Sequence, residues 1–138
     1  MPTASIAMRG LEALIDLVLC YLILYGVADA TGNAAGAGFY LRNGPALLGI
    51  ALCLGYFIVL EALFGLTLGK LVTNLRVVRE EDGAPIGWRA ATIRNLMRLV
   101  DGLVLYLVGF VAICVSRRRQ RLGDMAAHTL VVRRNARR

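Results

Sequence analysis

Two long apolar segments constrain how this chain can fold more than any other feature. The first covers residues 11–28 and the second covers residues 46–68, and the only charged residues inside them are Glu12, Asp16 and Glu61. A hydrocarbon core of about 30 Å needs on the order of 20 helical residues to cross it. Because an α-helix satisfies its own backbone polar groups, each segment can span a bilayer. The sequence therefore predicts an integral membrane protein.

A third apolar block is shorter, and its role stays open. It covers residues 102–115, so it can form a short span, a re-entrant helical hairpin or an interfacial helix. The composition agrees with a membrane protein, since 58% of the 138 residues are apolar although the net charge is +7. We predict an all-α membrane fold with two transmembrane helices plus this third short span or hairpin.

The first block has one alternative reading, as a cleaved secretory signal. Ala28, Asp29 and Ala30 provide the small-x-small pattern of a cleavage site. However, the segment before the block holds only one basic residue, Arg9, and two carboxylates lie inside the apolar part. A retained helix fits these features better.

We treat residues 1–138 as one membrane domain with six parts. In chain order these are helix one at about 9–28, an outer loop at 29–45, helix two at 46–68, a cytoplasmic segment at 69–101, the third block at 102–115 and a basic cytoplasmic tail at 116–138. The orientation follows from the basic residues: the loop 29–45 holds only Arg42, whereas the segment after helix two and the tail are rich in arginine. This places the N-terminus on the cytoplasmic side of the cell membrane. One full crossing by the third block would put the tail outside, so a hairpin that breaks near Gly109 is favoured over a third span.

The cytoplasmic segment has a pattern of its own. Residues 74–79 predict a short strand, and Gly83 and Pro85 mark the turn that follows it. Residues 87–100 predict a basic amphipathic helix with Trp88 as an aromatic anchor near its start. The β-branched run 129–132 can pair with residues 75–78 as a small ribbon.

The carboxylates inside the apolar blocks are the candidate functional residues, because an ionisable group in hydrocarbon is costly and usually has a partner or a task. Helical spacing places Arg9, Glu12 and Asp16 on one face of helix one. Asp16 and Glu61 both lie roughly 10 Å from the cytoplasmic edge at the helical rise. Further ion-path or ion-pair candidates are Arg94, Arg98 and Asp101. We expect Asp16 to pair with an arginine, namely Arg9, Arg94 or Arg98.

Other motifs do not predict chemistry. The string 65–72 resembles a phosphate-binding loop but has the wrong glycine spacing, and Leu71 follows Lys70 where Ser or Thr is needed. In the same string, Gly65 and Gly69 permit close helix approach, or Gly69 caps the helix end. The three cysteines lie in apolar blocks without a CxxC pattern, and His128 is the only histidine. We therefore expect no enzyme activity, cofactor, metal site or nucleic-acid partner, and we expect the basic residues to contact anionic lipid headgroups.

The sequence resembles the RDD family of small bacterial and archaeal membrane proteins. The resemblance rests on four stretches, RGLEALID, GLTLGK with the following LRVV, WRAATIRNLMRLVD and RRRQRLGDMAAHTLVV. The Arg-Asp-Asp signature of the family maps onto Arg9, Asp16 and Asp124. Most members have no assigned function, transport has been suggested for the family, and some members resemble sodium/proton antiporters.

Two classes of function follow. The first is transport of a small cation or proton by an oligomer, with Asp16 and Glu61 as the exchanging carboxylates. The second is a scaffold that does not transport, in which the Arg and Asp residues are structural and the partners are further copies or other membrane proteins. For Asp124 we expect a structural role, capping a short helix and contacting arginines.

Overall fold

The protein is mostly helical, and two of its helices are long and apolar enough to cross a membrane. The computed structural model describes residues 3–103, 111 and 120–134. Helix α1 is Ile6–Ala30 and helix α2 is Asn43–Phe64. They correspond to the two predicted spans. Most of the third block lies outside the described residues. Whether it forms a hairpin or a further span therefore stays a prediction.

Helix α1 has its polar side chains inside and its apolar side chains outside. It begins after Ser5, whose side chain accepts a hydrogen bond from the Met8 N–H at 3.3 Å. Its buried residues include Arg9, Glu12 and Asp16, so the predicted polar face is buried against the rest of the chain. Large apolar side chains along the helix are exposed, among them Leu11, Leu14, Leu17, Val18 and Leu22. This distribution suits a helix surrounded by lipid.

The loop between the two long helices contains an ordered hairpin that the sequence did not predict. Strands β1 (Ala34–Ala35) and β2 (Gly38–Phe39) pair antiparallel. Two tyrosines of α1 hold its turn, because the Tyr21 hydroxyl donates to the Ala37 carbonyl and the Tyr25 hydroxyl donates to the Gly36 carbonyl at 2.7 Å. The hairpin therefore lies against the side of α1.

Helix α2 ends at Phe64, four residues before the predicted end. Gly65 adopts the left-handed conformation, with φ of 68°, and its N–H donates to the Glu61 carbonyl at 3.0 Å. A Cβ on Gly65 would lie 2.9 Å from the Val77 carbonyl oxygen. The expectation that Gly69 caps this helix is wrong, because Gly65 provides the positive φ at the helix end.

The elements that follow α2 form a small unit that begins at its end. They are α3 (Leu68–Val72), β3 (Leu75–Arg79), α4 (Gly87–Leu103), α5 (Leu122–Ala126) and β4 (Thr129–Arg133). Strands β3 and β4 pair antiparallel, with Val77 opposite Val131. This pairing confirms the predicted ribbon.

The ribbon is held against the ends of the long helices by apolar packing. The N-terminal residues join it, since the Ala4 N–H donates to the Val131 carbonyl at 3.0 Å. The buried cluster contains Ala4, Ala62, Leu75, Val77, Ile86, Ala91 and Val131. A two-stranded ribbon is only marginally stable alone. Its position therefore depends on the start of α1, the end of α2 and the first turns of α4.

Candidate functional site

A continuous chain of buried ion pairs joins the elements at the β3–β4 end of the protein. Neighbouring charges alternate in sign along it, and its members in order are Glu12, Lys70, Glu61, Arg94, Asp124 and Arg9. Each of the six is at most 6% exposed. We call this set the charge network. With three carboxylates and three cations, its formal charges cancel.

Glu61 is bonded through both of its carboxylate oxygens. The Arg94 side chain contacts both of its carboxylate oxygens, with Nε at 2.8 Å from Oε2 and an amino group at 3.4 Å from Oε1. Asn95 Nδ2 donates to Oε2 at 2.8 Å, and Lys70 Nζ lies 3.0 Å from Oε1. Both oxygens therefore carry a cationic partner, which compensates for the loss of water around a fully buried carboxylate.

Lys70 connects the two long helices. It is the only lysine of the chain and is wholly buried. Its Nζ lies 2.8 Å from Glu12 of α1 and 3.0 Å from Glu61 of α2. From the sequence, Lys70 was only one of the basic residues that follow helix two and a part of the rejected phosphate-loop string. A lone lysine directly after an apolar span that contains a carboxylate was the signal that could have identified it.

Asp124 gathers two arginines and caps α5. One oxygen lies 2.6 Å from an Arg9 amino group, and the other lies 2.6 Å from an Arg94 amino group. The Arg121 backbone N–H also donates to Asp124 at 3.0 Å. Burial favours a higher pKa for Asp124, but Arg94, Arg9 and the Arg121 N–H outweigh it and hold the pKa well below its usual range. The capping contact and the arginine contacts expected from the sequence are both present.

Asp16 has a different kind of environment. Its carboxylate accepts hydrogen bonds from the Thr67 hydroxyl at 2.6 Å, the Tyr56 hydroxyl at 2.9 Å and the Gly69 backbone N–H at 3.0 Å. Among the described side chains, no Lys or Arg forms an ion pair with Asp16. The prediction that an arginine pairs with Asp16 is therefore wrong. The donors come instead from the end of α2 and the start of α3, which pack directly on α1. Arg9 reaches Asp124 rather than Asp16.

Arg98, a further candidate, has no ion pair with the charge network among the described side chains. The Arg98 guanidinium carbon lies 3.9 Å from the centre of the Phe57 ring, an arrangement that cation–π attraction stabilises. The side chain of Asp101 lies outside the described residues, so its role as an ion-path or ion-pair candidate stays a prediction.

Several uncharged side chains complete the site, and the sequence analysis named none of them. Thr129 Oγ1 accepts a hydrogen bond from Arg94 at 2.9 Å, and Thr67 Oγ1 accepts one from the Lys70 N–H at 3.3 Å. Asn95 and Tyr56 bond to Glu61 and Asp16 as described above. Single polar residues of this kind carry no motif. Only the fold brings them to the charged groups.

The carboxylates of the charge network contact its own cations, which leaves few ligands for a metal ion. Within residues 3–103, 111 and 120–134, no group of three or more His, Cys, Asp or Glu side chains is placed to hold a metal ion. The three carboxylates of the charge network each have a cation within 3.0 Å. Chemically, the site resembles a set of internal counter-ions more than an open binding pocket.

The pH dependence of stability provides a test of the Asp124 contacts. Because its pKa is lowered in the folded state, Asp124 stabilises the fold above its unfolded pKa of about 4 and loses this contribution as the pH falls through the folded pKa. We expect Asp124→Asn to lower the melting temperature in detergent at neutral pH, and the difference from wild type to shrink below about pH 4. Asp82→Asn, which alters an exposed acid, is the control. A difference that stays constant down to low pH would contradict the assignment.

The fold and the site define a small helical membrane-type protein whose long helices are linked by buried charges. The family model for the RDD family matches residues 3–128, and the chain belongs to this family. The chain is also similar to the proline-rich antigen homolog of Mycobacterium tuberculosis in two strains, CDC 1551/Oshkosh and ATCC 25618/H37Rv. Each is 32% identical over 72 residues, which is 52% of this chain and 30% of the relative. The match thus spans less than a third of the length of these relatives. No solved structure matches the chain.

Proposed function

We propose that this protein is a membrane scaffold, a pair of spans whose ends are fixed to a small folded unit by the charge network. The observation that carries this proposal is the pairing within the network, in which every carboxylate has a cation within 3.0 Å. Removing one partner of a buried ion pair leaves an uncompensated charge, so such pairs hold elements in one arrangement. A carboxylate that exchanges ions must instead release its partner in each cycle.

The orientation and the partners form part of the same proposal. The β3–β4 pairing and the contact of Asp124 with Arg9 support an arrangement with the start of α1, the end of α2 and residues 120–134 on one side of the membrane. We assign this side to the cytoplasm of a cell membrane, because basic residues concentrate there. Exposed arginines such as Arg89 and Arg133 would contact anionic headgroups. Other membrane proteins, or further copies of the chain, are the expected protein partners.

Asp16 supports a second candidate function, transport of a small cation or a proton. It is 1% exposed and, among the described side chains, is the one buried carboxylate without a cationic partner. Three neutral donors surround it. A carboxylate held in this way can bind a proton without breaking an ion pair. Glu61 fits the sequence-based transport hypothesis less well than Asp16, because Glu61 already forms ion pairs with Lys70 and Arg94.

Flux measurements separate the two candidates. Purified protein in liposomes would be tested for sodium/proton and potassium/proton exchange, using a dye that reports internal pH. The scaffold proposal expects flux no greater than that of protein-free liposomes, with both wild type and Asp16→Asn folded as judged by gel filtration. Exchange by wild type that Asp16→Asn abolishes would overturn the scaffold and identify Asp16 as the exchanging group. Asp29→Asn, which alters an exposed acid at the far end of α1, is the matched control.

A further inference from the structure

Helix α4 carries its polar residues on the inside and its apolar residues on the outside. Arg94 and Asn95 are buried against α2, and both contact Glu61. The opposite side exposes five large apolar residues, with between 36% and 53% of their surface accessible; these are Trp88, Ile93, Leu96, Leu99 and Val100. At the helical repeat these five fall within one continuous arc. In a water-soluble protein the two faces would be exchanged, because the apolar face of a helix then packs against the core and the polar face is exposed.

The end of α2 and helix α3 also expose large apolar residues. At the end of α2, Leu63 is 55% exposed and Phe64 is 62% exposed. Helix α3 adds Leu68, Leu71 and Val72, each at least 44% exposed. Large exposed apolar patches are uncommon on water-facing surfaces of soluble proteins. Since α2 is itself a candidate span, its exposed apolar residues would face lipid.

Helix α4 also runs inward along α2. Arg94 and Asn95 contact Glu61, whereas Arg98, one turn further along α4, lies over Phe57, one turn earlier in α2. The two helices therefore run in opposite directions. Since α2 ends at the network side, each successive turn of α4 lies closer to the membrane centre. Its depth increases from Trp88 towards Leu99.

We propose that α3 and α4 are embedded in one leaflet of the bilayer, with the exposed faces of both helices in contact with lipid acyl chains. The part of the charge network formed by Glu12, Glu61, Lys70 and Arg94 then lies below the headgroups, between α1, α2, α3 and α4. Arg94 and Arg98, which the sequence analysis named as ion-pair candidates, both contact residues of α2 rather than the exposed side. Only Arg89 lies on the exposed side of α4 near its start, a position from which a long side chain reaches the headgroup level.

Trp88 is a native probe of this proposal, because it is the only tryptophan of the chain. Its fluorescence would be measured in liposomes containing lipids brominated either near the glycerol end or near the middle of the acyl chain. The proposal expects the shallow bromines to quench Trp88 to less than half of its emission in unbrominated lipid. In a Trp88→Phe background, Leu99→Trp should instead be quenched more strongly by the deep bromines.

Arg79→Trp in the same background is the matched control, since Arg79 is a charged, exposed residue at the end of strand β3. It should be quenched by acrylamide in the water and little affected by brominated lipid. Equal lipid quenching at positions 79 and 99, or strong acrylamide quenching at position 99, would overturn the proposal. Lipid quenching of Trp88 that appears only when the protein is diluted in the membrane would show that protein covers this face, and would also overturn it.

Discussion

Replacing Glu61 with Gln is expected to cause a larger loss of stability than any other substitution proposed for this protein. The change leaves Lys70 and Arg94 with a buried neutral partner, and breaking a buried ion pair from one side costs about 3–5 kcal/mol. Folded proteins have only about 5–15 kcal/mol of stability in total. We therefore expect a large loss of folded protein after extraction in detergent, measured as the monodisperse fraction on gel filtration during a temperature series.

Glu81→Gln is the control for this substitution. It removes the same charge from an exposed position in the turn after β3, so the melting temperature should not change. A Glu61→Gln protein as stable as the Glu81→Gln protein would mean that the charge network does not hold the fold. The scaffold proposal would then lose its main support.

Gly69→Ala is expected to cause the second large loss of stability. Gly69 lies where α3 packs directly on α1, and an added Cβ would overlap the Glu12 backbone carbonyl and lie 2.8 Å from the Asp16 carboxylate carbon. Backbone atoms of a helix cannot move aside without shifting the whole helix. Overpacking of this kind costs about 1–3 kcal/mol, and here it also displaces the donors of Asp16. Thermal unfolding in detergent measures the loss.

Gly10→Ala provides the comparison, because Gly10 is also helical and its Cβ would meet no atom within 4 Å. Alanine favours helix over glycine by up to about 1 kcal/mol, so this protein should be as stable as wild type or slightly more stable. If the two alanine variants melt at the same temperature, α3 does not pack on α1 as closely as described.

The long helices and the ribbon were predictable because their signals are local. Apolar length alone identified α1 and α2, and β-branched runs identified the strands at 75–79 and 129–133. Spacing along one helix also placed Arg9, Glu12 and Asp16 on a common buried face. The end of α2 was misplaced because Gly65 and Gly69 both suit a helix end, and the sequence does not show which one has the positive φ.

The partners within the site were less predictable, because they depend on how separate elements pack. Depth from the membrane edge predicted that Asp16 and Glu61 lie at similar levels, and this stays a prediction. It could not show that Lys70 would reach Glu61. Nor could it show that Thr67 and Tyr56 would surround Asp16. Arginine seemed the natural partner for Asp16 from charge alone. In the folded chain, the turn from Gly65 to Leu68 instead places a neutral hydrogen-bond donor, Thr67, beside Asp16.

The burial of Lys70 has a practical consequence for chemical labelling. Since this chain has no other lysine, a reagent that acylates side-chain amines can modify the folded protein only when Lys70 separates from Glu12 and Glu61. Its rate of modification therefore reports how often α1, α2 and α3 come apart, which is a local opening of the structure. Lysine-directed crosslinkers would accordingly miss neighbours of the intact protein, and partner searches should use photoreactive or carboxylate-directed reagents.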